Sequence, residues 1–217
     1  MDSAIVTPPN GTEYRAIVDT HRHPIGPKLA AKMAEAGLYD PKQEFPQTNP
    51  EDLICYREFF DLDYAMPKQR EGGVTLSVAS NGGEVVWFAQ DLLQVSTGEA
   101  LKFLNDEYLE ISDRYPGEFA LMANAHALEE SCRPIVEEMI SQGGAKAIAV
   151  ASSYGDGSER AFLDSPKAEW LWEFAVANDI VVHIHPPCCR SGTRCSCSTA
   201  STKRSADPST RPLTAPG

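Results

Sequence analysis

Four of the chain's five histidines form two H-x-H pairs, His21 with His23 and His183 with His185. The first pair ends the stretch YRAIVDTHRHP (residues 14–24), where a short apolar run gives way to Asp19 and a proline closes the segment. An extended backbone sends alternate side chains to one side, so both imidazoles leave it together. Two neutral imidazoles so placed can grip one divalent cation, with nitrogen about 2.0–2.1 Å from a zinc ion. Asp19 shares their parity and could orient an imidazole from behind. The plainer alternative is a histidine pair in a surface loop. The strand before the pair and the proline after it favour the metal.

The second pair ends IVVHIH (180–185), which Pro186 and Pro187 stop. Val181, His183 and His185 share one parity, and Val182 and Ile184 the other. The two aliphatic residues suit a face covered by helices, which turns both histidines to the opposite side. His185 lies nearer the C-terminal end of the strand and is the expected ligand; His183 is expected to pack below it or to be hydrogen-bonded. His126, just past FALMANA (119–125), could line the same pocket. The expected metal ligands are therefore His21, His23 and His185, with Asp19, His126 and His183 as candidate pocket or supporting residues. No acid–base catalyst can be nominated from the residues alone.

These side chains need strands to carry them. Beyond the first, apolar runs at 74–79, 119–125, 145–151 and 180–185 read as strands. Helical segments are expected at 27–36, closed by Gly37, and at 50–65, with Asn49 as cap. Others follow at 84–115, broken near 96–98 with Thr97 capping the second piece, at 128–142, and at 166–178 behind the cap Ser165. The long connection between the first two strands would lie over the histidines as a lid. Strand–helix alternation means a parallel sheet with right-handed crossovers. Candidate ligands at the ends of the first and fifth strands favour a closed barrel over an open sheet. A (β/α)8 barrel takes about 250 residues. The fold class is thus α/β, an incomplete (β/α)8 TIM barrel of about five βα units.

The bulk properties set the limits. The formal net charge is −12, which argues against a nucleic-acid partner, because phosphate backbones need clustered Lys and Arg. No apolar run approaches the roughly 20 residues of a membrane span, and no secretion signal opens the chain, so no membrane partner and a cytoplasmic location are expected. Residues 188–217 differ from the rest. They hold five Lys and Arg against one Asp, four of the six cysteines, eleven Ser and Thr, and a single large aliphatic residue, Leu213. Such a segment cannot bury enough surface to offset its ordering entropy, and disorder is expected. It reads like a different text joined after Pro187, as a shifted frame or mis-spliced exon would give. Its cysteines lack the C-x2-C spacing of a zinc ribbon. Three parts follow: a lead-in (1–13), a partial barrel domain (14–187) and a tail (188–217).

Three stretches together, VDTHRHP, GGAKAIAV and LDSP…WLWEFAVANDIVVHIHPP, resemble the amidohydrolase-related (amidohydrolase 2) family over about residues 14–187. That family includes aminocarboxymuconate-semialdehyde and resorcylate-type decarboxylases. The resemblance implies a (β/α)8 barrel with one divalent metal, usually zinc, at its C-terminal face. The family's first H-x-H corresponds to His21 and His23, and its strand-five histidine before proline to His185. Family members also carry a histidine on strand six, acting in acid–base chemistry, and a metal-binding aspartate on strand eight. The family-like text here stops before either, as a truncated member would. The implied activity is a metal-dependent carboxy-lyase (decarboxylase) acting on an aromatic or unsaturated carboxylic acid, a small-molecule substrate. The alternatives are metal-dependent hydrolysis of a lactone or amide, and an inactive barrel fragment. The raw sheet edges of a fragment invite partner binding, with a homodimer as one outcome.

Overall fold

The computed structural model describes residues 16–48, 54–81, 83–155 and 160–186. The lead-in, the tail, Asn49 and Pro187 lie outside the described residues. The chain runs β1 (Ile17–Arg22), α1 (Pro27–Glu35), β2 (Gln47–Thr48), β3 (Ile54–Cys55), α2 (Arg57–Phe60), α3 (Leu62–Glu71), β4 (Val74–Ala79), α4 (Gly83–Leu93) and α5 (Thr97–Arg114). It continues with β5 (Phe119–Asn124), α6 (Arg133–Ser141), β6 (Ala147–Ala151), β7 (Ser153–Tyr154), β8 (Ala161–Phe162), α7 (Glu169–Ala177) and β9 (Val181–His185).

Five strands form one sheet in the order β1-β4-β5-β6-β9, every neighbour parallel. In a flat sheet, four spacings of about 4.8 Å would hold the edge strands about 19 Å apart. Yet His23 of the β1 exit lies 3.2 Å from His185 of β9. The sheet is therefore curled into an arc whose two edges approach each other, the incomplete barrel expected from histidines at the ends of the first and fifth strands.

Residue size decides which way it curls. On the outer face Leu121, Ile148 and Val150 pack under Tyr108, Ile111, Val136, Met139, Leu171 and Phe174 of the helices. Each fully buried aliphatic side chain contributes about 1.5–3 kcal/mol. A second cluster joins α1, α4 and α5 through Leu29, Met33, Val86, Leu101 and Leu104. The apolar cluster on the inner face is smaller, consisting of Met122, Ala147 and Ala149 with Val78 against them. Ala149 and Ala151 are the register partners of His183 and His185, so methyl-sized neighbours leave room for both imidazoles. Val182 joins the outer core as expected, whereas Ile184 is 47% exposed because no described helix covers the β9 edge.

Several elements differ from the sequence expectation, each for a local reason. Of the helix expected over 50–65, residues 50–53 lie outside the described residues, 54–55 form β3, and the rest is two helices broken at Asp61, whose carboxylate accepts the N–H of Tyr64 at 3.0 Å and starts α3, as a cap aspartate does. The break before α5 is capped by Ser96 rather than Thr97, in a capping box with Glu99. A 3-10 turn at Glu130–Cys132 precedes α6, which starts only at Arg133, with Pro134 in the first turn where its missing N–H costs nothing. The segment behind Ser165 likewise opens as a 3-10 turn, Pro166–Ala168, before α7. The two-residue ladders β2–β3 and β7–β8 are too short to leave a periodicity.

Two buried polar contacts fix the exit of β1. Glu107 on α5 accepts the N–H groups of Lys28 (2.6 Å) and Leu29 (3.1 Å) and so caps α1, which Gly26 at its start cannot do. A Cβ on Gly26 would lie 2.3 Å from the Glu107 carboxyl carbon, so a larger residue there would push the carboxylate off the α1 N–H groups. The second contact is a chain of amides. Asn105 Oδ1 accepts both the N–H (2.9 Å) and the Nδ2–H (3.0 Å) of Asn124. Asn124 Oδ1 in turn accepts the N–H of Asn81 at 2.9 Å. Both asparagine side chains are buried.

Asn124→Ala leaves buried amide groups unmatched and is expected to lower stability by about 1–3 kcal/mol in chemical denaturation. Desolvation raises the pKa of the Glu107 carboxyl, against the backbone N–H bonds that lower it. A raised folded value means the stability it contributes is fully present below the unfolded carboxylate range and is lost as pH rises through the folded value. Stability measured against pH for wild type and Glu107→Gln is expected to show the extra decline only in wild type.

Candidate metal centre

The histidines stand at the C-terminal ends of parallel strands, the end where barrels place their chemistry. The Ser80 N–H bonds the Arg22 carbonyl at 3.0 Å, which keeps the β1 exit beside that of β4. Arg22 itself points outward: it is buried, reaches the Glu58 carbonyl at 3.3 Å and lies 5.7 Å from the Phe119 ring centre. The flanking residues His21 and His23 accordingly turn inward.

His23 is oriented from behind. Its Nδ1 lies 2.5 Å from the Ser80 carbonyl oxygen. A carbonyl only accepts, so Nδ1 carries the proton and Nε2 the lone pair. That Nε2 is 3.2 Å from His185 Nε2. Two imidazole nitrogens bound to one tetrahedral ion at 2.0–2.1 Å would be about 3.3 Å apart. The candidate ligand atoms of His21, His23 and His185 all lie within 4.8 Å of one another. The rings of His21 and His23 meet edge-on at 4.4 Å, while His21 and His185 are nearly parallel at 5.1 Å. Donor type, spacing and tautomer therefore fit a divalent cation, and exposed His21 leaves one side open to solvent.

The remaining candidates take other places. His183 is half-buried, with Nε2 3.0 Å from His21 Nδ1. Burial first, then His21 and His185, holds its pKa below the usual histidine value and favours the neutral ring. Asp19 Oδ1 accepts the backbone N–H of His21 at 3.2 Å, so the contact is to main chain and not to a ring. His126 falls outside the three-histidine group. It packs on the Tyr154 ring at 4.0 Å and its Nε2 is 3.7 Å from Glu129. Desolvation lowers its pKa, opposed by Glu129. Its loop is pinned, since the Tyr154 hydroxyl accepts from Ala127 (2.9 Å) and Ala151 (3.2 Å) and Trp170 Nε1 donates to the Ala127 carbonyl (2.7 Å).

Sequence reasoning missed Ser80, Asn81, Asn105 and Asn124. The Ser80 carbonyl that holds His23 and the Asn81 N–H that Asn124 holds belong to one peptide group. A usable signal existed at Asn124, a polar residue within the apolar strand FALMAN, buried almost throughout.

No described helix is long and apolar enough to cross a membrane. No protein-family model and no curated protein matches the chain. Solved structures do. A dihydroxybenzoic acid decarboxylase from Polaromonas sp. JS666, with bound manganese and the inhibitor 2-nitroresorcinol, is 18% identical with a TM-score of 0.58, over 81% of this chain and 50% of its own. A 5-carboxyvanillate decarboxylase from Novosphingobium aromaticivorans, with bound manganese, is 17% identical with a TM-score of 0.56, over 79% and 50%. A 4-oxalomesaconate hydratase from Rhodopseudomonas palustris is 21% identical with a TM-score of 0.52, over 78% and 52%. The chain thus spans about half the length of the structures it matches. At these identities the likeness is one of fold: the described residues build about half of the barrel that these structures share.

Proposed function

We propose that His21, His23 and His185 hold one divalent cation and that the chain, as one barrel domain over residues 14–187, belongs to a metal-dependent carboxy-lyase of the amidohydrolase-related family. The substrate class is a small aromatic or unsaturated carboxylic acid, handled in the cytoplasm. The observation that supports this most is the convergence of three imidazoles from the two edges of a curled parallel sheet, with the tautomer of one already set by the Ser80 carbonyl. Structures sharing the fold, the Polaromonas and Novosphingobium decarboxylases among them, were crystallised with manganese. A set of three imidazole nitrogens suits zinc at least as well, and zinc is the ion proposed.

When bound, the cation supplies a Lewis acid that polarises a substrate oxygen. The chain's own part is to orient it. His23 and His185 present nitrogens 3.2 Å apart. The Asn105–Asn124–peptide chain keeps the first of them from turning. The exposed side at His21 is where a carboxylate would enter. Protonation of the carbon bearing that carboxylate makes CO2 the leaving group, and no described residue is assigned to deliver the proton. The open edges expose Val18 and Ile184 at 45% and 47%; a second copy of the chain is the partner proposed for them, detectable as a dimer by light scattering.

Protein dialysed against zinc is expected to retain about one equivalent, and His185→Ala to weaken retention by more than the about 10–100-fold that outer partners command. Incubation with 2,6-dihydroxybenzoate, 5-carboxyvanillate and a set of lactones is expected to release CO2 from an acid. Ring opening of a lactone without CO2 release would overturn the carboxy-lyase in favour of hydrolysis. Metal uptake with no turnover would leave the metal centre standing and overturn activity in this chain.

A further inference from the structure

We infer that His183 is a positioning residue: its Nε2 accepts a hydrogen bond from His21 Nδ1–H and so presents the Nε2 lone pair of His21 to the cation. The inference rests on the metal reading above. The two nitrogens are 3.0 Å apart, within hydrogen-bond range. One of them must hold the proton. If His183 donated, His21 would carry its own proton on Nε2 and lose the lone pair it needs as a ligand. If His21 donates, its Nε2 keeps the lone pair a ligand needs, and the proton of His183 sits on its Nδ1. This repeats across the cluster what the Ser80 carbonyl does for His23. The two halves of the first H-x-H are thus fixed by different means, one by a backbone carbonyl of the neighbouring strand's exit and one by a neutral ring from the opposite edge.

Placement supports this role over that of a fourth ligand. His183 and His185 are two residues apart on one strand, and their ring centres are 6.4 Å apart, against 4.9 Å between His23 and His185. The group whose ligand atoms converge contains His185 and not His183. Ala149, the register partner of His183, leaves its ring the space to lie toward His21.

The test uses the full chain as wild type, His183→Ala and His183→Gln. Long-range proton–nitrogen NMR on metal-free protein, above the histidine titration range, is expected to find His21 protonated at Nδ1 in wild type and in His183→Gln, whose amide oxygen can accept. His183→Ala is expected to shift His21 toward the Nε2–H form. Zinc affinity from chelator competition is expected to fall about 10–100-fold in His183→Ala and to recover in His183→Gln. The cobalt-substituted spectrum is expected to keep its band positions in all three. His21 protonated at Nε2 in wild type, unchanged affinity in His183→Ala, no recovery in His183→Gln, or cobalt bands lost with His183 would each overturn the inference. Wild-type protein that takes up neither ion overturns the metal reading by itself, while the tautomer measurement still decides His183.

Discussion

The structure depends on curvature. Histidines from the β1 exit and from β9 can meet only because a sheet that would hold them about 19 Å apart when flat is bent until His23 and His185 are 3.2 Å apart. Bending needs a bulky convex side and a slim concave one. The outer face supplies Ile148, Val150 and Leu121 under three helices, and the inner face supplies Ala147 and Ala149, the latter beside His183, with Met122 and Val78 next to them. Packing on the outside and vacancy of side-chain volume on the inside are therefore one arrangement, and the imidazoles occupy the space it creates.

Within that arc the polar groups do what apolar packing cannot, which is to fix rotation about a bond. A dispersion contact tolerates a ring turned by half a revolution; a hydrogen bond between Nδ1 and a carbonyl does not. Buried amides are costly when unmatched, so a side chain such as Asn124, bonded to both Asn105 and the Asn81 N–H, has few alternative positions of similar energy. The peptide between Ser80 and Asn81 inherits that rigidity and passes it to His23. Glu107 acts similarly at longer range by pinning the start of α1, which opens four residues past His23.

Much of this was legible in the sequence. The parity of His183 and His185 against Val182 gave the face, the prolines gave the strand ends, and the five strands fall where their apolar runs lie. All of those are signals within one strand. What escaped was relational. Asp19 has the parity to support a ring but bonds the His21 main chain instead, because parity sets a direction and not a distance. His126 sits at the correct end of the sheet yet turns to Tyr154 and Glu129. The asparagine chain joins α5, β5 and the exit of β4, and no periodicity can announce a hydrogen bond between residues so far apart in sequence. Ser96 displaced Thr97 as cap because the capping box needs glutamate at the third helical position, and Glu99 counts from Ser96.

The two histidine-bearing strands are also the sheet's edges, and this ties stability to the site. The central strands β5 and β6 are buried along nearly their whole length, whereas Val18 on β1 and Val181 and Ile184 on β9 stay exposed. Edge strands with one neighbour and little cover open first. An ion held from both edges favours the closed arc over any opened form, since it binds the former and not the latter. The same three imidazoles that would direct chemistry would thus act as the clasp of the half-barrel, so that occupancy of the site and order at the edges rise and fall together.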